Sequence, residues 1–286
     1  MTRRALLFFG LGLSLLQSAS AARLHRDVPY GQAAGVQLLC DISEPDGAGP
    51  YPVAILVHGG GWSGGDKAGS DQPGSGADVT PWFDALTSAQ FTWVSINYRL
   101  APAHRWPACL EDVQTAIRWV KAHAAEYRGD AAHIALLGHS AGGHLVCLAA
   151  TLAGPDTRVQ AVVGFAAVTD LAADTQRRGG LSPSLQRLLQ RPLAATPETV
   201  AVLRDLSPLN HVHPGLPPFL LLHGDADKTV PYAQSQAFQH RLQAEGNRCD
   251  LITLPGAPHG LLTWSKYLPD YAGQMTAWLL SVLASS

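Results

Sequence analysis

Gly138-His139-Ser140-Ala141-Gly142-Gly143-His144 decides how this sequence is read. The residues before it, His133-Ile134-Ala135-Leu136-Leu137, form a short apolar run of the kind found in buried strands. Those after it, Leu145 to Leu152, are rich in Ala and Leu and read as a helix. A Gly-x-Ser-x-Gly pattern between strand and helix is a nucleophile elbow, a turn tight enough to hold its serine in a strained backbone conformation. Gly138 and Gly142 answer that geometry, because a side chain at either position would collide across the turn. The turn lifts the Ser140 hydroxyl off the sheet. It also aims the amide of Ala141 at the reacting oxygen from a helix N-terminus, where negative charge is favoured.

In a chain with 28 glycines the pattern needs partners, and the flanking sequence supplies them. Upstream, Pro52-Val53-Ala54-Ile55-Leu56-Val57 reads as a buried strand running into His58-Gly59-Gly60-Gly61-Trp62. Consecutive glycines after a strand let the backbone curl close to a ligand and turn its amides inward, which makes the second half of an oxyanion hole. A phosphate loop is the rival reading, but no Gly-Lys-Ser/Thr follows. The donors are therefore expected among the amides of Gly60, Gly61 and Ala141, with Trp62 and His139 as neighbours lining the substrate pocket.

Further strands are expected at Val36 to Ile42, antiparallel and at a sheet edge, and at Thr92 to Asn97, Val159 to Phe165, Pro218 to Leu222 and Cys249 to Leu254. Helices are expected at Pro81 to Gln90, from Trp106 to about Tyr127, at Ala233 to Ala244 and at Asp270 to Leu283. Alternating strands and helices predict an α/β fold with a mostly parallel sheet covered on both faces. From Leu171 to Pro214 the strand pattern stops, and short helices at Leu181 to Leu189 and Pro197 to Leu206 predict a small cap insertion near the mouth of the site. Residues 63–81, rich in Gly, Ser and Asp, read as a loop over that mouth.

The chain of 286 residues suits one α/β domain, 22–286, behind an N-terminal segment of different character. Arg3-Arg4, an apolar run from Ala5 to Leu16 and Ala19-Ser20-Ala21 have the layout of a secretory signal, with cleavage after Ala21. The run is shorter than the roughly 20 residues needed to cross a bilayer, so an exported protein without stable membrane insertion is expected. A net charge of −2 gives no sign of nucleic-acid binding. Cys40, Cys109, Cys147 and Cys249 have no CxxC spacing, and their positions set no disulfide pairing.

Ser140, Asp227 and His259 follow strand ends in the chain order of α/β-hydrolases. The chemistry needs each type. A serine hydroxyl is a poor nucleophile near neutral pH, so an imidazole must take its proton and later return it to the leaving group. The imidazole's other nitrogen must be held by a carboxylate that stabilises the imidazolium. His259 is the histidine that follows the last strand in a Pro/Gly loop. Asp227 is preferred over Asp225, which lies nearer the strand end and is better placed to cap a turn. His144, His58 and His223 read as structural, and His211-Val212-His213 lacks the further ligand a metal site needs. No metal and no cofactor are called for.

His58 to Trp62, Asn97-Tyr98-Arg99-Leu100-Ala101-Pro102, Leu110-Glu111-Asp112-Val113 and Gly138 to His144 resemble the carboxylesterases related to hormone-sensitive lipase. Ser207-Pro208-Leu209-Asn210-His211-Val212 and His223-Gly224-Asp225-Ala226-Asp227-Lys228-Thr229-Val230-Pro231 are similar to one branch of them. That branch holds acetyl and feruloyl esterases of plant polysaccharides and kynurenine formamidase-like enzymes. The resemblance spans roughly residues 30–283 and implies the same Ser140, Asp227 and His259. It implies a serine carboxylic ester hydrolase for short acyl esters, small or polysaccharide-linked, with an arylformamidase-type amide hydrolase or a serine peptidase as alternatives. Lipase-like relatives carry a helical cap ahead of the first core strands, and the short run between Ala21 and the strand before His58 leaves little room for one.

Overall fold

The computed structural model describes residues 22–69, 79–191 and 196–285. The expected export signal, 1–21, lies outside the described residues, as does the 70–78 part of the predicted loop over the mouth.

Eight strands form one sheet: β1 (Arg23–Ala33), β2 (Val36–Glu44), β3 (Tyr51–Val57), β4 (Thr92–Ile96), β5 (Gly129–His139), β6 (Ala161–Phe165), β7 (Phe219–Gly224) and β8 (Cys249–Leu254). Their order is β1-β2-β4-β3-β5-β6-β7-β8. β1 and β2 are antiparallel to their neighbours, and β3 through β8 run parallel, as the alternating pattern predicts.

The apolar runs are continuous because both faces of the sheet are buried. Along β3, Val53, Ile55 and Val57 enter one core while Ala54 and Leu56 enter the other. β7 divides in the same way, Phe219 and Leu221 against Leu220 and Leu222. The first core is closed by α2 (Ala108–His123), α3 (Ala141–Thr151) and α7 (Ala233–Ala244), the second by α1 (Thr80–Ser88) and α8 (Tyr271–Leu283). Every residue of α3 is buried, so the elbow helix is hydrophobic all round rather than amphipathic.

Two expectations need correcting. β2 is antiparallel but not at the edge, since β1 covers it. β1 escapes a hydrophobic-pattern search because only Tyr30 in it is buried, and Pro29 and two register irregularities interrupt it. Polar residues, proline and irregular pairing are how an edge strand avoids recruiting another. Between β6 and β7, α5 (Pro183–Leu189) and α6 (Pro197–Asp205) match the predicted insertion, but a third helix, α4 (Leu171–Arg178), precedes them. Its sequence, Leu-Ala-Ala-Asp-Thr-Gln-Arg-Arg, ends in five consecutive polar residues. Its order comes from an Asp170 cap on the Ala173 amide and ion pairs from Asp174 to Arg177 and Arg178.

The four cysteines are buried free thiols, and burial pushes those of Cys40, Cys109 and Cys249 up to about 12. Among the described residues no helix is long and apolar enough to cross a membrane.

The segment after β4 is pinned by a buried ion pair. The Arg99 guanidinium holds the Asp112 carboxylate through Nη2 at 2.7 Å and Nε at 2.9 Å, and the Arg99 amide donates to the same carboxylate at 2.8 Å. Asp112 is 1% exposed, so its charge depends on that fork. We predict that Asp112→Ala, which leaves the guanidinium only Glu111 and the Ala108 carbonyl, lowers unfolding stability by about 3 kcal/mol, read from urea denaturation midpoints.

Candidate active site

The ends of the parallel strands are level where the elbow forms. Val57 pairs with Gly138, His139 pairs with Phe165, and the Ser140 amide donates to the Phe165 carbonyl at 2.9 Å. Ser140 has φ 55° and ψ −116°, the strained conformation the motif predicts. The glycines explain how the chain tolerates it. A Cβ on Gly138 would stand 2.3 Å from the Gly142 carbonyl oxygen. A Cβ on Gly142 would meet the Val57 and His58 carbonyl oxygens at 2.1 and 2.4 Å. The second clash lies across to the end of β3 rather than within the turn, so the first turn of α3 rests directly on the start of the Gly-rich loop.

Ser140, His259 and Asp227 converge, although they lie far apart in sequence. His259 Nε2 is 2.9 Å from Ser140 Oγ, and its Nδ1–H donates to Asp227 Oδ2 at 2.6 Å. Asp227 Oδ1 accepts the amides of Thr229 and Val230 at 2.8 and 2.9 Å. Burial pushes the Asp227 carboxyl up, but hydrogen bonds from His223 and His259 outweigh it and hold the group well below the usual carboxylate range. The Asp227 side chain is 0% exposed and that of His259 is 14% exposed. Asp225 takes no part. Its carboxylate accepts the Gly256 amide, so it caps the neighbouring His259 loop rather than its own turn.

The Gly-rich loop is held from three sides. The Tyr98 hydroxyl donates to the His58 and Gly59 carbonyls, and its ring stacks on His58 at 4.4 Å. His58 Nδ1–H donates to the Gly59 carbonyl. From above, α5 lies against Gly61, where a Cβ would meet Ser184 Oγ at 2.5 Å. Gly60 has φ 99° and Gly61 φ 59°, conformations that favour glycine.

The two residues expected to line the pocket, Trp62 and His139, are both buried. His139 is fully buried behind the site, where its Nε2–H donates to the His259 carbonyl at 2.9 Å. Trp264 Nε1 donates to the preceding carbonyl, Pro258, so two ring N–H groups anchor the loop that carries the imidazole. His139 is the last residue of β5 and shares a face with Ala135 and Leu137, which lie in the core closed by α1 and α8. Trp62 is 4% exposed, and its indole donates to His144 Nδ1 at 3.2 Å. His144 Nε2–H in turn donates to the Leu206 carbonyl at 2.8 Å. This relay joins the Gly-rich loop, the elbow helix and the end of the cap insertion, which makes Trp62 part of the frame.

Sequence reasoning passed over Gln234 and gave Ser207 no role beyond opening the Ser207–Val212 resemblance. Gln234 Oε1 accepts the Thr169 and Asp170 amides and its Nε2 donates to the Asp170 carbonyl, while Ser207 Oγ accepts the Leu171 amide. Both fasten the insertion where it leaves and rejoins the core. Gln234 lies in no motif that a single sequence would show.

No group of three or more His, Cys, Asp or Glu side chains among the described residues is arranged to hold a metal. His211 and His213 lie on the carbonyls of Asp205 and Pro214 and do not converge.

A profile of the BD-FAE family matches residues 40–242. The chain belongs to that family. BD-FAE proteins are α/β-hydrolases related to hormone-sensitive lipase, and the sheet and its covering helices have that fold. Esterase LipC of Mycobacterium tuberculosis is 38% identical over 225 residues, covering 74% of this chain and 53% of LipC. Carboxylesterase NlhH of the same species is 30% identical, covering 77% of this chain and 70% of NlhH. The chain spans about half the length of LipC, LipM and LipQ, namely 53%, 51% and 56%. Among solved structures, a thermophilic esterase of Thermogutta terrifontis, Est2, superposes with TM-score 0.68 at 27% identity, covering 92% of this chain and 91% of Est2. An acetyl ester-xyloside bifunctional hydrolase from Caldicellulosiruptor lactoaceticus superposes with TM-score 0.70 at 26% identity, covering 85% and 88%.

Burial holds the imidazoles of His58 and His144 down at about 4. Unfolded, they titrate near the ordinary value of about 6.5. Their contribution is therefore complete above that value and is lost as pH falls from about 6.5 toward 4. We predict a loss on the order of 3 kcal/mol from each over that window, measured by urea unfolding at stepped pH. His144→Asn should flatten the slope.

Proposed function

We propose that this BD-FAE protein is a serine carboxylic ester hydrolase for short acyl esters, working through an acyl-enzyme. The observation that carries the reading is the chain of hydrogen bonds from Ser140 Oγ to His259 Nε2 and from His259 Nδ1 to Asp227 Oδ2, at 2.9 and 2.6 Å. As Ser140 Oγ attacks the ester carbonyl carbon, its proton passes to His259 Nε2. Asp227 stays ionised and stabilises the imidazolium. The carbonyl oxygen becomes an oxyanion facing the amides of Ala141 and of Gly60 or Gly61. Such a donor is worth about a hundred- to a thousand-fold in rate. His259 then gives its proton to the departing alcohol, which leaves the acyl group on Ser140. Water, deprotonated by the same imidazole, attacks that ester and releases the acid and free serine.

The names of the relatives support the ester class, LipC and NlhH being called esterase and carboxylesterase. A short acyl group is what the resemblance to acetyl and feruloyl esterases implies. The Caldicellulosiruptor hydrolase is named for an acetyl ester and a xyloside together, which supports a carbohydrate-linked acetyl ester as substrate. The basic, apolar and small-residue order of residues 1–21 supports action outside the cytoplasm.

We predict that the protein hydrolyses p-nitrophenyl acetate and that rates fall along a series from C2 to C12 esters. Ser140→Ala should abolish both turnover and labelling by a fluorophosphonate probe while the fold survives. Asp227→Asn should lower kcat by about ten thousand-fold. Retained turnover in the Ser140 variant would remove this serine from the role, and faster hydrolysis of N-formylkynurenine than of any ester would move the reading to amide hydrolysis.

A further inference from the structure

His223 is the penultimate residue of β7, the strand before the turn that holds Asp227, and is 0% exposed. Its Nε2 is 3.2 Å from Asp227 Oδ2, the same oxygen that accepts the His259 Nδ1–H, and 3.0 Å from the Val230 carbonyl. Its Nδ1 is 2.7 Å from Ser235 Oγ on α7. Both neighbours of Nε2 are acceptors, so that nitrogen carries a hydrogen whatever the charge of the ring. Ser235, whose hydroxyl both donates and accepts, satisfies the other nitrogen in either state. The ring is thus a fixed donor pointed at the carboxylate from the side opposite His259. Its edge-on contact with Tyr232 at 5.7 Å, itself held by the Tyr232–Thr253 hydroxyl pair, closes the remaining side.

We propose that His223 is a positioning residue for the Ser140–His259–Asp227 set: its Nε2–H shares Asp227 Oδ2 with His259, fixing that oxygen in place and drawing off part of its negative charge. This rests on the catalytic roles given above. The two amides on Oδ1 set the tilt of the carboxylate, and the His223 donor sets which way Oδ2 faces. Hydrogen bonding of this kind to the charged form is also one of the causes that keep the carboxyl ionised.

Among the other titratable groups near this cluster, the His139 ring lies 4.8 Å from that of His259, and its Nε2–H donates to the His259 carbonyl. Arg178 of α4 donates to the Thr229 carbonyl, Asp225 is engaged by the Gly256 amide, and Lys228 is exposed. His259 is the titrating group that faces Asp227 from the loop after β8.

Removing the His223 donor concentrates charge on Oδ2, which makes it a stronger partner for the imidazolium of His259. The pKa of His259 then rises, and the acid limb of kcat/KM moves to higher pH. The loss of a fixed orientation lowers the plateau rate.

The test compares two polar replacements that differ in reach. The His223→Gln amide extends far enough to donate to Asp227. The His223→Asn amide reaches the Nδ1 position beside Ser235 but stops short of the carboxylate. We expect H223N to lower plateau kcat/KM on p-nitrophenyl acetate by about ten- to a hundred-fold and to shift the acid limb upward. H223Q should keep the wild-type limb and stay within about tenfold of the wild-type rate. A wild-type limb in H223N, or a shifted limb in H223Q, would overturn the proposal. Should H223N not fold, the limb of H223Q decides alone. Titration of the His259 ring by 1H–15N NMR, in wild type and both variants, reads the same shift without substrate. A wild-type protein that turns over no ester therefore sinks the proposed function, while an unmoved His259 titration in H223N sinks this inference.

Discussion

The site depends on one close approach: the first turn of α3 against the end of β3. Gly142 touches the Val57 and His58 carbonyls with no space for a side chain. That contact fixes the elbow, because the Gly138 to Gly142 turn has no freedom to relax once α3 is seated. It fixes the Gly-rich loop, because His58 is the residue that α3 rests on. The strained Ser140 backbone is maintained by the same seating, with the Phe165 carbonyl holding its amide from the next strand. Packing, not local preference, makes the conformation, and a helix buried all round supplies the force.

Around that contact, each functional side chain is placed by a separate element and corrected by a neighbour. β7 delivers Asp227, and two amides and two imidazoles orient its carboxylate. The loop after β8 delivers His259, and His139 and Trp264 hold successive carbonyls of that loop. β3 delivers the glycines, and Tyr98 and His58 hold the first of them. Buried polar groups of this kind rigidify a site only when fully satisfied, which is why His144 and His223 each have partners on both ring nitrogens.

The parallel sheet and the convergence of Ser140, His259 and Asp227 were legible in the sequence because both leave strong local marks. A buried strand is a continuous apolar run, and strand ends in an α/β fold gather on one side. What was not legible depends on contacts across the fold. β1 pairs through its backbone with little apolar burial, so its residues carry no period to detect. α4 is held by charges and a cap, features that also occur in loops. The burial of His139 and Trp62 follows from what packs behind them, and adjacency to the elbow and the glycines says nothing of which way a ring turns. Gln234 and Ser207 act at the two junctions of an insertion that only the folded chain brings together.

The Trp62–His144–Leu206 relay constrains how such a scaffold can diversify. The Gly-rich loop is tied to the C-terminal end of α6 through an imidazole on α3. Sequence changes in the middle of the insertion leave that tie intact, whereas a transplanted insertion without a carbonyl at the Leu206 position strands the His144 Nε2–H in the core.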